Sequence, residues 1–313
     1  MIIASCPLRV SLLGGSTDLE DFINKNQSGQ VINFPINLYT YVNLNKRHDS
    51  NFLIQYAQTE KLSTRNINDI KNDVVRVVLE YFNVTTPLTI TLTADIPSHG
   101  SGLASSSSFM ISMIKAVSSF QKLNLSDIEI CNIALKLERI FNPLVGRQDP
   151  YGCGLKGFKH LYFEKNKKPL ITLYNHSYFN NFNLNLVPVG GKGRKSTDVL
   201  KSLDVNKRKI LYKDVIKGDT FINNQLFDKL NQLISKGWEN KKATSSLILN
   251  KNVVKTENYL KHYNEFKENC IESYKLCGAG NGGYMLVISN NACSFDTGIK
   301  ISIDNRGIKS WEL

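Results

Sequence analysis

Hydrophobic and polar positions alternate in two rhythms along this chain. Leu88-Thr-Ile-Thr-Leu-Thr93 alternates strictly, with Leu88, Ile90 and Leu92 on one face, which predicts a half-buried strand. Ile70 to Phe82 instead places Val74, Val77, Val78 and Tyr81 at helical spacing. On the same reading Tyr39–Leu44 and Phe52–Tyr56 are strands, and Ser105–Leu123 and Ser126–Phe141 are helices. Met1–Pro7 reads as a first strand, because it lacks the basic segment and long apolar run of a secretory leader. Phe158–Phe163, Leu170–Tyr174 and Phe182–Val189 follow as strands. The pattern from Ser196 to Tyr274 is helical, and Tyr284–Ser289, Ile299–Ile303 and Ile308–Trp311 close the chain as strands. Mixed strands and helices, then helices, then strands predict an α+β fold rather than a regular βαβ repeat. The 313 residues suit one large domain or two ordinary ones. An Asn-rich stretch at Asn180-Asn181 predicts a division into 1–180 and 181–313.

Composition narrows the function classes. A hydrophobic fraction of 42% supports a substantial core, and no low-complexity block argues for disorder. Lys and Arg outnumber Asp and Glu by 39 to 27, a net +12 that first suggests a polyanionic partner. The 34 Asn residues point to a compositional bias toward Asn and Lys instead. Residues 190–275 hold 18 basic against 10 acidic side chains, so +8 of the excess is scattered there, with no basic helix interleaved with aromatics. Nucleic acid is therefore not the expected partner. No segment approaches the ~20 apolar residues that span a bilayer, so no membrane is expected. The six cysteines form no C-x-x-C pair, and reduced thiols in a cytoplasmic protein are expected. The five histidines are far apart and show no metal spacing.

Three loops carry candidate chemistry. Pro97-Ser-His-Gly-Ser-Gly-Leu-Ala-Ser-Ser-Ser-Ser108 joins a strand to an apolar helix. Its glycines let a ligand approach the backbone, and the helix start offers unpaired N–H groups and the positive dipole end. Phosphate is the natural occupant, at Pro97, Gly100, Ser101, Gly102, Leu103, Ala104, Ser105, Ser106 and Ser107. Serines serving only as caps are the plainer alternative, but four exceed what capping needs. A Walker A loop is excluded, because no Gly-Lys-Ser/Thr follows. Gly278-Ala-Gly-Asn-Gly-Gly283 formally matches a dinucleotide fingerprint, but a helical stretch precedes it and a strand follows, the reverse of that motif. Almost bare of side chains, it suits close approach by a ligand or another loop. Pro7-Leu-Arg-Val-Ser-Leu-Leu-Gly-Gly-Ser-Thr-Asp18 places Arg9 in a strand before a Gly-Gly bend. Asp18 is a candidate for gripping sugar hydroxyls or, more simply, a cap for a helix over Leu19–Asn24.

In this order the three loops resemble the GHMP kinase superfamily, which includes galactokinase, homoserine kinase and mevalonate kinase. Pro97–Ser106 is similar to its Pro-x-x-x-Gly-Leu-x-Ser-Ser motif, with Ala104 where many members have Gly, and Lys275–Gly283 is similar to its third motif. A Glu-Arg pair followed by Asp eleven residues after the Glu is a fourth correspondence, met by Glu138-Arg139 and Asp149. Gly14-Gly15-Ser16-Thr17-Asp18, Ile36–Tyr41 and Gly146-Arg-Gln-Asp-Pro-Tyr151 look like the D-glycero-D-manno-heptose 7-phosphate kinases and related fucokinases. Pro150 and Cys153 depart from their usual pattern.

The resemblance implies a two-domain fold: an N-terminal ribosomal-protein-S5-like α/β domain that binds ATP and a C-terminal ferredoxin-like α+β domain. It implies an ATP-dependent sugar kinase acting on an anomeric hydroxyl, heptose 7-phosphate first, with an unphosphorylated fucose- or galactose-like sugar, or a non-catalytic sensor, as alternatives. Ser106 and Glu138 would hold Mg²⁺. Asp149 would face the acceptor hydroxyl as base or orienting group, and Arg9 would keep Asp149 ionised. Gly15, Ser16, Thr17 and Asp18 would meet the sugar, and Gly278, Gly280 and Gly282 would close the site. Gly190-Gly-Lys-Gly-Arg-Lys-Ser-Thr197 offers Arg194 and Lys195 to a sugar phosphate; a solvated loop at a helix start is the equal alternative. The expected partner is a small sugar or sugar phosphate, bound by a monomer or a homodimer.

Overall fold

Two long strands form the spine of the molecule. β1 (Ile2–Leu13) is buried at every position but Ile3, and β2 (Ser28–Lys46) pairs with it antiparallel. The structure, a computed structural model, describes residues 1–49, 51–62, 66–97, 100–190, 196–267, 270–293 and 295–313. Between the long strands lies α1 (Glu20–Asn26). β3 (Phe52–Gln55), β4 (Thr59–Leu62), α2 (Asp73–Tyr81) and β5 (Leu88–Ala94) follow. β5 pairs antiparallel with β2 and parallel with β3. The parallel pair needs a crossover, which α2 provides. Then come α3 (Ser105–Phe120), α4 (Asp127–Phe141), α5 (Gln148–Gly154), β6 (Lys159–Glu164) and β7 (Leu170–Leu173).

The rest of the chain is α6 (Ser177–Asn181), β8 (Phe182–Pro188), α7 (Ser196–Ser202), α8 (Lys209–Asn223), α9 (Phe227–Lys242), α10 (Lys251–Phe266), β9 (Ile271–Leu276), β10 (Tyr284–Asn290), β11 (Ile299–Ile301) and β12 (Lys309–Glu312). The first sheet runs β12-β1-β2-β5-β3-β4, with β6 and β7 branching from β2. The second runs β11-β8-β10-β9. This is the α+β architecture the patterning predicts, and the last strand returns to β1.

Helix starts follow their capping chemistry. Asn72 accepts the Val75 N–H ahead of α2, and Ser126 with Glu129 makes a capping box ahead of α4. α3 buries Met110, Ile111, Met113, Ile114 and Val117 under the first sheet, each worth ~1.5–3 kcal/mol of burial. Alternation then splits β1 between two environments. Leu8, Val10 and Leu12 pack toward Leu184, Leu186, Leu286 and Ile288 of the second sheet, and Arg9 and Ser11 take the other face.

The structure departs from the pattern in four places. The helical stretch ends with α10, and β9 occupies Ile271–Leu276, so the glycine loop after it joins two strands. Ile271, Ser273 and Leu276 are buried in a strand flanked by a Lys- and Asn-rich helix, whose local pattern masks the alternation. β2 starts at Ser28 and not at Tyr39, because its first half is buried on both faces and shows no alternation. α5 is a helix that periodicity over seven residues cannot reveal. Pro150 fits there because it lies in the first turn, whose N–H groups have no helical partner. Finally, Cys270 and Cys293 form a disulfide, correcting the expectation of six reduced thiols; Cys6, Cys131, Cys153 and Cys277 are free and buried. Among the described residues no helix is long and apolar enough to cross a membrane.

Candidate active site

A cleft of about 520 Å³ lies where β1, the start of α3, α5, the 14–18 bend and the 278–283 loop meet. The serine loop forms one wall. Gly100 (φ 71), Gly102 (φ 78) and Ala104 (φ 60) are left-handed, so the chain turns sharply into α3. No side chain caps this helix and its first turn carries no acid. Its first free N–H groups therefore face the cleft with the positive dipole end. The four serines divide the work. Ser105 bonds Ser101 at 2.8 Å, Ser107 donates to Glu138, and Ser108 donates to the Cys6 carbonyl at 2.9 Å. Ser106 is exposed to the cleft. Leu103 is in the core, and its carbonyl accepts the Arg9 N–H, so it anchors the loop. Pro97 ends the described segment before the loop.

Arg9 and Asp149 meet across the cleft floor. Arg9 Nε and Nη2 both donate to Asp149 Oδ1, at 3.1 and 2.6 Å, and Nη1 donates to the Gly102 carbonyl at 2.9 Å. Burial opposes the Arg9 charge, but the Asp149 carboxylate outweighs it and raises the guanidinium pKa. Asp149 sits in the first turn of α5, where the helix start also favours an anion. The glycines of α5 allow this approach. A Cβ on Gly152 would come within 3.1 Å of Arg9 Cγ, and one on Gly154 would strike Cys131 Sγ. At the far end of α5, fully buried Lys159 donates to the carbonyls of Gly152, Leu155 and Gly157. Burial pulls the Lys159 pKa down to about 7.

Glu138 of α4 is 1% exposed and reaches the same cleft. Burial pushes its carboxyl up to about 7, the hydroxyls of Ser107 and Ser106 hold it down, and Asp149 adds to the rise. The expected pair of Ser106 and Glu138 is thus brought together, with Ser107 as an additional partner that the sequence does not distinguish from its neighbours.

The 14–18 bend closes the opposite end. Gly15, Ser16 and Asp18 line the cleft. Thr17 is fully buried, donates to the Gln30 carbonyl at 2.7 Å and accepts the Gln30 N–H, so it pins the bend to β2. Asp18 is 1% exposed and does not cap α1. It accepts the N–H groups of Ser16 and Gln148, each at 3.0 Å, and the Gln148 side-chain amide at 3.2 Å. Burial and then the nearby Asp149 raise its pKa, against those hydrogen bonds. Asp18 therefore ties the bend to α5, and both of its oxygens already accept protein donors.

Three cations escape the sequence reading. Lys241 of α9 donates to Ser16 Oγ at 2.9 Å. Arg208, fully buried, donates to the Ser16 carbonyl at 2.9 Å and pairs with Asp21. Lys275 of β9 donates to the Ser11 and Leu12 carbonyls, and burial lowers its pKa to about 8. Lys275 abuts the third glycine motif, but Lys241 and Arg208 lie in Lys-rich stretches with no local mark. Arg194 and Lys195, proposed for a sugar phosphate, lie outside the described residues, as does His99.

The 278–283 loop packs on the serine loop, backbone against backbone. A Cβ on Gly278 would sit 2.5 Å from Gly102 Cα, and one on Gly283 would sit 2.4 Å from the Ser101 carbonyl. Gly278 lines the cleft, while Gly280 packs on Ile248 and Gly282 lies toward the Gly190 carbonyl. The close approach that the bare loop predicts is, first of all, to another loop.

Comparison with known proteins agrees with this geometry. The profile of the GHMP kinases N terminal domain matches residues 68–157. The chain is 27% identical to D-glycero-alpha-D-manno-heptose 7-phosphate kinase of Campylobacter jejuni over 98% of both proteins. It is 28% identical to L-fucokinase/L-fucose-1-P guanylyltransferase of Bacteroides fragilis over 64% of this chain and 22% of that longer protein. The fold matches a D-glycero-D-manno-heptose 1-phosphate kinase from Bacteroides thetaiotaomicron with a TM-score of 0.73 and 18% identity, covering 100% of this chain and 99% of that one. Residues 68–157 thus match the GHMP kinases N terminal domain, and the whole chain shares the fold of that heptose kinase.

Proposed function

We propose that the protein transfers the γ-phosphoryl group of ATP to the anomeric hydroxyl of a sugar phosphate of the D-glycero-D-manno-heptose 7-phosphate class. One observation carries the phosphoryl-transfer reading. An uncapped helix start, a buried carboxylate beside an exposed serine, and an Arg-held aspartate all face one cleft. The full-length likeness to a heptose 7-phosphate kinase supports the choice of sugar.

Phosphoryl transfer asks for alignment and charge cancellation more than covalent help. The α3 N–H groups and the loop 100–107 would cradle the ATP phosphates. Glu138 and Ser106 fit a hard divalent cation: a buried carboxylate whose charge is resisted by burial, next to a hydroxyl, with room in the cleft for phosphate oxygens and water. Mg²⁺ held there would neutralise phosphate charge. Asp149 would receive or orient the acceptor hydroxyl through Oδ2, the oxygen Arg9 leaves free. Arg9 would hold Asp149 in position and steady charge developing nearby. Gly15 and Ser16 would meet the sugar, with Asp18 and Thr17 holding that bend in shape, and Lys241 would supply charge at this end. Gly278 would close the nucleotide side, with Gly280 and Gly282 setting the loop. We further propose the division into a nucleotide-binding part, 1–180, and a part, 181–313, that completes the acceptor side, in a cytoplasmic protein acting as a monomer or a homodimer.

A coupled ADP-release assay against heptose 7-phosphate, fucose and galactose tests this. Turnover confined to the phosphorylated sugar supports it. Turnover with free fucose alone favours the second reading, which the likeness to the fucokinase supports. No turnover with any sugar removes both.

A further inference from the structure

Outside the cleft, a second cavity of about 660 Å³ lies along the outer side of α8 and α9. Lys207, Lys209, Lys213, Lys217 and Lys236 line it. All five are exposed, and none makes an ion pair among the described residues. Lys209, Lys213 and Lys217 follow one another at i, i+4 and i+8, on a single face of α8. Like charges at that spacing destabilise a helix by about 0.2–0.5 kcal/mol per pair. The neighbouring cations are paired: Lys242, also on α9, pairs with Glu239 and Glu257, and Arg208 pairs with Asp21. In the groove the one acid is Asp214, which is 2% exposed and accepts Asn240 Nδ2 at 3.0 Å. No exposed acid within the groove's lining balances the five charges, and the nearby Asp204 lies outside it beside Lys207.

We infer that this groove is a second ligand site, distinct from the ATP and sugar cleft, that takes a compact anion bearing a diphosphate group, free or carried by a nucleotide. A diphosphate carries about two to three negative charges at neutral pH, more than a single phosphate and so a better match to five ammonium groups. The cavity falls in the usual ~300–1,000 Å³ range for small ligands. The groove also touches the cleft. Asp214 lines both cavities. On α9, Lys236 and Asn240 face the groove, while their neighbours Gly237 and Lys241 face the cleft. An anion drawing Lys217 and Lys236 outward removes their attraction for Asp214 and shifts the α9 segment that holds Lys241 against Ser16. The site thus acts on acceptor binding rather than on the nucleotide. The inference is independent of which sugar the kinase uses.

Isothermal titration of pyrophosphate and of UDP into protein saturated with ADP tests it, with K213E/K217E/K236E as the comparison. The expected result is one additional site, weakened at least tenfold in the charge-reversed protein and in K213Q/K217Q/K236Q. Turnover at saturating ATP and sugar stays at the wild-type level in both variants and shows that they are folded, although losing Lys217 and Lys236 already moves their KM for the sugar. UDP binding more tightly than pyrophosphate assigns a nucleotide as the source of the diphosphate; equal binding assigns the free anion. In kinetic runs with free Mg²⁺ held constant, the tighter ligand changes the KM for the sugar in the wild type and not in the variants. Absence of binding by both probes, or equal binding by wild type and K213E/K217E/K236E, overturns the inference.

Discussion

Asp149 has both Arg9 donors on Oδ1, and its partner oxygen takes no protein hydrogen bond among the described residues. That asymmetry is what a residue facing an acceptor hydroxyl needs, because one oxygen is fixed and the other is available. Asp149→Asn is expected to lower turnover by about 10³-fold while ATP still binds, since acid–base groups contribute ~10²–10⁴. Single-turnover kinetics beside nucleotide titration checks this, and unchanged turnover removes Asp149 from the role. Lys159 supports the same helix from its other end and gives a pH signature. Its folded pKa, about 7, lies below the 10.5 of the exposed group. The folded protein therefore holds fewer protons than the unfolded chain between those values, and stability rises with pH across that window. Charging the buried amine costs stability below pH 7, and the cost fades as pH rises. Urea melts at pH 6.5 and 9.5 should show the wild type gaining on the order of 2 kcal/mol over Lys159→Met at the higher pH. A constant difference between the two proteins contradicts it.

Among the elements, α3 and the 278–283 loop act as one device. The helix can present bare N–H groups because Gly100, Gly102 and Ala104 bend the chain into its first turn. The second loop can press on that bend only because it has no side chains at the contact. Gly278 combines a φ of 74 with a contact that leaves no room for a Cβ against Gly102. Gly278→Ala is expected to displace the serine loop, raising the KM for ATP at least tenfold and lowering stability by about 1–3 kcal/mol. Nucleotide titration and thermal melting measure the two effects. A wild-type KM with an altered melting point separates simple strain from a role in shaping the phosphate site. Both glycine loops are legible as local sequence, since glycine is the residue that left-handed turns and close approach require. α5 is not legible, because seven residues make too few turns to show a period and its helix is held by tertiary contacts to Arg9, Asp18 and Lys159.

At the scale of the whole molecule, cations from the second half of the chain hold parts of the first half in place. Lys275 bonds the end of β1, and Arg208 and Lys241 bond Ser16. These contacts bridge nearly 200 residues or more, so the 14–18 end of the cleft takes its shape only when the later part of the chain packs against the first. Arg208→Ala leaves the Ser16 carbonyl and Asp21 without their donor. Asp21 is half-exposed and regains water, so the expected loss is modest, about 2 kcal/mol. The same change should raise the KM for the sugar more than the KM for ATP, because it loosens the bend and not the serine loop. Urea denaturation and steady-state kinetics with both substrates check this. An equal rise in both constants marks general loosening instead.

The local sequence by itself determined the fold class, the helices α2, α3 and α4 and the positions of the three loops, because periodicity, capping and glycine placement act within a few residues. It also brought Ser106, Glu138, Arg9 and Asp149 forward as a group through their resemblance to a known pattern. Only the tertiary structure decided what each group does there. It shows Ser107 beside Glu138, both Asp18 oxygens accepting protein donors, the third loop resting on the second, and Lys241, Lys275 and Arg208 reaching the site from far along the chain. Those facts depend on burial and on hydrogen bonds between distant residues. A buried cation or carboxylate is set by whichever carbonyls and N–H groups the packed chain brings within about 3 Å, which no local pattern records.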